Sequence, residues 1–111
     1  MLQTIAIKQP HLFRRAYAKG KSAVTPTVVL YARKNGLGFN RLGLTVGTKV
    51  GKAVVRNRVR RRLRESYRLR EGSVKTGYDF VLVARSAAAD APFAVLDRHL
   101  ASLLNRLELL K

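Results

Sequence analysis

The chain has 111 residues with no cysteine and no tryptophan, one methionine, two histidines, three prolines and only six acids. Missing cysteines exclude disulfides and thiolate metal sites, which suits a reducing compartment. The acids Glu65, Glu71, Asp79, Asp90, Asp97 and Glu108 fall on separate stretches, and His11 and His99 are far apart in sequence. A protein nuclease gathers carboxylates around a divalent ion or positions a histidine acid–base pair, and neither pattern is visible. The two histidines are expected at the surface or at helix ends. No window approaches the roughly 20 apolar residues of a membrane span. Residues 1–8, MLQTIAIK, lack the charged start and the apolar run of a secretory signal. A cytoplasmic location with no membrane partner is expected. Gly36, Gly38, Gly43, Gly47 and Gly51 match neither a phosphate-binding loop nor a dinucleotide fingerprint. No small-molecule substrate is expected.

What the chain has is positive charge. Lys and Arg number 23, giving a formal net charge of +17, while 47% hydrophobic content is too apolar for a disordered basic tail. A single folded domain over residues 1–111 is expected, burying roughly 65% of its unfolded surface. Between Lys49 and Arg68 the sequence places Arg56, Arg58, Arg60, Arg61, Arg62, Arg64 and Arg68 on about five helical turns, with Glu65 the only acid. A solvated helix face normally mixes charge signs. This density points to a polyanionic partner, and guanidinium forks match phosphate oxygens bidentately.

Periodicity organises the chain. His11 to Lys19, after Pro10 and before Gly20, predicts a first helix with Phe13 and Tyr17 on one face. Thr27 to Arg33 predicts a strand whose Val28, Leu30 and Ala32 face the core while Val29, Tyr31 and Arg33 face away. A turn at residues 35–38 leads to Arg41 to Val46, expected as the second strand of a hairpin. Its outward Gly43 and Thr45 are expected to leave an open surface beside Tyr31. A second helix from about Lys52 to Leu69 carries Val55, Val59, Leu63 and Ser66 on its core side, with Asn57, Arg61, Arg64 and Arg68 opposite. A third strand spans Tyr78 to Arg85. Pro92 opens a last helix with Asp90 as its expected cap and a stripe of Leu96, Leu100, Leu103, Leu104 and Leu107. The order is αββαβα, an α+β fold.

The run RLGLTV at Arg41, followed by KVGKAVVRNRVRRRLRE from Lys49 to Glu65, closely resembles the signature of the bacterial ribonuclease P protein subunit. Phe13 and Tyr17 before Gly20, the VVLY strand ending at Tyr31, the YDFVLVAR strand from Tyr78 and the final leucine helix follow that family's order over about residues 11 to 107. The resemblance implies an αβββαβα two-layer sandwich, with a mostly antiparallel central sheet and a left-handed βαβ crossover carrying the arginine helix. It implies partnership with a catalytic RNA subunit that removes the 5′ leader of precursor tRNA. Hydrolysis would belong to that RNA and its Mg²⁺. By the same resemblance Arg56, Asn57, Arg58, Arg61, Arg62 and Arg64 would contact the RNA subunit, with Lys49 and Lys52 beside them and Arg68 on the same phosphate side. Phe13, Tyr17, Tyr31 and Arg33 would line the leader cleft, with Arg15 and Arg33 holding the backbone. Where family members usually read Ser-Lys-Lys, this chain has Gly47, Thr48 and Lys49, and the basic start common in the family is absent. A general RNA-binding protein would share the composition but not the Arg-Asn-Arg box, and a protein-only nuclease would need a carboxylate cluster in space.

Overall fold

The computed structural model describes residues 3–111 and contains, in chain order, β1 (Thr4–Ala6), α1 (Pro10–Lys19), β2 (Lys21–Val24), β3 (Val28–Lys34), β4 (Asn40–Thr45), α2 (Ala53–Arg70), β5 (Tyr78–Ala84) and α3 (Phe93–Arg106). Met1 and Leu2, the start of the N-terminal arm, lie outside the described residues. One five-stranded sheet has the order β1-β4-β5-β3-β2. The expected hairpin between β3 and β4 is therefore corrected: β5 inserts between them, antiparallel to β3 and parallel to β4. The reason is burial. Phe80, Val81 and Leu82 are all buried, so β5 is apolar on both faces and takes the centre of the sheet, where both are covered.

The two extra strands are short edges. β2 pairs antiparallel with β3, and β1 pairs parallel with β4. The sheet is thus mixed, with its longest pairing antiparallel and β4-α2-β5 forming the βαβ unit. Alternation along β3 and β5 decides the layers. Val28, Leu30, Ala32, Phe80, Leu82 and Ala84 join the main core with Val59, Leu63 and Tyr67 of α2 and the leucines of α3. Each fully buried large side chain contributes about 1.5–3 kcal/mol relative to exposure. Val81 points the other way, into a smaller cluster with Ile7, Leu12 and Ala16. The two-layer sandwich holds for the main core, and α1 adds a partial third layer over the opposite face.

Helix ends follow local chemistry. Pro10 starts α1, because it has no N–H to leave without an intrahelical partner and its fixed φ suits the first turn. Gly20 ends it because a Cβ at that position would stand 2.6 Å from the Ala16 carbonyl oxygen and 2.9 Å from that of Ala32. The N-cap of α3 is Pro92, with no side-chain cap bond, so the expected Asp90 cap is corrected. Extended backbone at Pro92 turns the chain into α3, leaving Asp90 exposed two residues upstream. Among the described residues no helix is long and apolar enough to cross a membrane.

Candidate nucleic-acid interface

Helix α2 is amphipathic by the 3.6-residue period. Val59, Leu63, Ser66 and Tyr67 are buried and Val55 is half-buried, while Asn57, Arg61, Arg64 and Arg68 are exposed. Lys49 and Lys52 before the helix are exposed as well. No acid sits in the first turn, so the positive end of the helix dipole adds to the same field.

The remaining arginines are sorted by the protein itself. Arg58 Nη2 donates to the Ala89 carbonyl at 3.0 Å and Arg62 Nη1 to that of Ala91 at 2.9 Å. Arg58, expected as a contact to the RNA subunit, leans onto the loop before α3, where the Ala89 carbonyl accepts from its guanidinium. Arg60 reaches the Val46 carbonyl and Asn57 Oδ1. Arg70 and Ser66 both donate to Asp97, clamping α2 to α3. Arg56 is half-buried, and its Nε and that of Arg58 are buried without partners. Arg68 forms a forked pair with Glu65 at 2.6 and 2.9 Å, whose hydrogen bonds hold the Glu65 carboxyl below its usual range. Asn57, Arg61 and Arg64 are left as the most available part of the box.

On the other face of the sheet three aromatic rings converge. Tyr17 stands edge-on to Tyr31 at 4.9 Å between centroids, and Phe13 lies 6.5 Å from Tyr17. The Tyr17 hydroxyl is hydrogen-bonded to Thr45 Oγ1 at 2.9 Å, fixing the ring over β4. Gly43 is buried rather than open. A Cβ there would stand 2.6 Å from Phe13 Cε1, so the missing side chain lets the ring descend onto the strand. Phe13 and Tyr31 are half-buried against the smaller cluster, whereas Tyr17 is 40% exposed. Arg33 follows Tyr31 on this face and is half-buried. Arg15 is exposed but sits two residues from both Phe13 and Tyr17, about 200° around the helix. The fold does not bring it to the rings; Arg14 is the nearer cation.

Beside α2 lies a groove of about 190 Å³ lined by Ile7, Lys8, Leu44, Arg60 and Arg64. It passes the β1 edge of the sheet. The groove and the Thr45 bond escaped sequence reasoning, since both depend on elements far apart in the chain. So did the pair formed by Arg41, whose Nε and Nη2 donate to Asp79 at 2.7 and 2.8 Å. Asp79 is fully buried and also accepts from Asn35, and its hydrogen bonds raise the Arg41 pKa. This pair locks the parallel register of β4 and β5. Among the described residues no three His, Cys, Asp or Glu side chains are grouped to hold a metal ion.

Three comparisons bear on this arrangement. A family model described as Ribonuclease P matches residues 1–108. The ribonuclease P protein component of Thermoanaerobacter sp. (strain X514) is 45% identical over 100 residues, covering 90% of this chain and 86% of its own. The RNase P protein of Staphylococcus aureus superposes with a TM-score of 0.87 at 29% identity, covering 96% of this chain and 97% of that one. The RNase P protein of Thermotoga maritima gives a TM-score of 0.82 at 31% identity, covering 91% of this chain and 96% of that one.

Proposed function

The chain belongs to the ribonuclease P protein family, and on that premise we propose that it is the one-domain RNA-binding subunit that joins a catalytic RNA to precursor tRNA. Helix α2 docks on the RNA subunit through Asn57, Arg61 and Arg64, with Lys49 and Lys52 adding charge. The 5′ leader crosses the rings of Phe13, Tyr17 and Tyr31, because every base offers a stackable face and Arg33 can hold the backbone. Removal of the leader by hydrolysis is the work of the RNA and the Mg²⁺ it holds. This chain binds, orients and screens charge, in the cytoplasm.

The observation that carries the reading is the pairing of two different surfaces across one sheet. One is the cation face of α2; the other is an aromatic floor. The acids support it too. Asp79, Asp97 and Glu65 are each committed to arginine partners.

The purified chain is expected to leave precursor tRNA intact, and to support cleavage once ribonuclease P RNA is added. It should also lower the Mg²⁺ concentration that the RNA needs, since a +17 chain replaces part of the cation atmosphere around it. Metal-dependent cleavage by protein rigorously freed of RNA would overturn this assignment.

A further inference from the structure

We propose a second single-stranded RNA site, on the face of the sheet opposite the aromatic floor, built from Lys34, Lys75 and Lys111 around Tyr78. These residues line an open surface cavity of about 520 Å³, together with Leu37 and Gly77. Its face follows from alternation. Ala32 and Phe80 belong to the main core, so Lys34 and Tyr78, each two residues along, leave the sheet on that same side.

Three exposed lysines are ordinarily three solvated side chains. Here they are mounted on locked backbone and aimed at one cavity. Lys75 N–H donates to the Leu109 carbonyl at 2.7 Å and Lys111 N–H to that of Ser73 at 2.8 Å. Asn35 N–H bonds the Gly77 carbonyl, tying the loop after Lys34 to the same unit. Asn40 accepts from the N–H groups of Gly77 and Tyr78 and donates to the Lys75 carbonyl. No Asp or Glu side chain lines the cavity. The neighbouring Asp79 faces the other side of the sheet, held by Arg41.

The ring chemistry selects the occupant. Tyr78 is half-buried and stacked on Phe80 at 5.7 Å and 19° between planes, so one face is braced while the ring borders the cavity. A braced aromatic with cations around it suits an unpaired nucleotide: the base stacks and the flanking phosphates meet the ammonium groups. An acidic peptide would use the lysines but has no need of the ring.

The test is titration of the isotope-labelled full chain with hexauridylate, following the ring signals of Tyr78 and Tyr31 separately. Both should move, and in the K34Q/K75Q variant the Tyr78 response should be lost while that of Tyr31 persists. The slope of log affinity against log salt should flatten by about 1.4 in that variant, from about 0.7 per single-strand phosphate contact. Retained Tyr31 signals show that the variant is folded. A silent Tyr78, or a Tyr78 response that survives in K34Q/K75Q, would overturn the proposal. Loss of the Tyr31 response alone would instead count against the leader floor and leave this site standing.

Discussion

Replacing Arg61 and Arg64 together with alanine is expected to weaken binding to ribonuclease P RNA by roughly a hundred-fold. Both side chains are exposed on α2, away from buried Val59 and Leu63, so the fold does not depend on them. A hydrogen bond to a charged group is worth about 1.5 kcal/mol or more, close to ten-fold in affinity for each contact. The slope of log affinity against log salt should also flatten by about 1.5, at 0.7 to 0.9 per phosphate contact. Arg58 and Arg62 give the contrasting result. Their guanidinium groups hold the Ala89 and Ala91 carbonyls, so R58A/R62A should lower thermal stability, by about 1 kcal/mol for each half-buried bond. Filter binding across salt concentrations, with thermal melts alongside, separates the two pairs. Unchanged affinity and slope in R61A/R64A would return this helix face to simple solvation.

The aromatic floor predicts a selective defect. Phe13→Ala or Tyr31→Ala in the assembled ribonucleoprotein should weaken precursor tRNA binding by about ten-fold, since base stacking contributes roughly 1 to 3 kcal/mol per base. Mature tRNA, which has no leader, should bind as before. The ratio of the two affinities is the readout, because Phe13 and Tyr31 also pack on the smaller cluster with Ile7 and Val81. General destabilisation would depress both affinities equally. Tyr17, more exposed than either, provides a variant with less packing to lose.

Helix α2 was legible in the sequence because a 3.6-residue period carries its whole message locally: Val59, Leu63 and Ser66 are inside and Asn57, Arg61 and Arg64 outside, as spacing alone requires. The alternation of β3 was equally local. The partners of a strand are not. Neighbouring segments at Thr27–Arg33 and Arg41–Val46 suggested a hairpin, yet β5, more than thirty residues on, separates them because it carries fully buried apolar side chains on both faces. Periodicity alone did not reveal the edge strands β1 and β2, because three or four residues, such as Lys21–Val24, cannot establish a period; the αβββαβα order implied by the resemblance already counts β2, and β1 is additional to it. The sorting of arginines was hidden for a related reason. Whether Arg58 and Arg62 face solvent depends on carbonyls about thirty residues downstream, and the Arg41–Asp79 pair joins positions 38 apart.

The central claim is that the two surfaces touch two different RNAs, and site-specific crosslinking tests it most directly. The chain has no cysteine of its own, so a single Ser22→Cys or Val54→Cys substitution gives a unique attachment point for a photo-crosslinker. Ser22 is exposed and paired opposite Tyr31, beside the floor; Val54 is 76% exposed on α2, two turns before Arg61. In the assembled ribonucleoprotein, S22C should crosslink to 5′ leader nucleotides of precursor tRNA and give no adduct with mature tRNA, while V54C should crosslink to ribonuclease P RNA with either substrate. Adducts from both positions on the same RNA, or an S22C adduct that forms equally well with mature tRNA, would contradict the account.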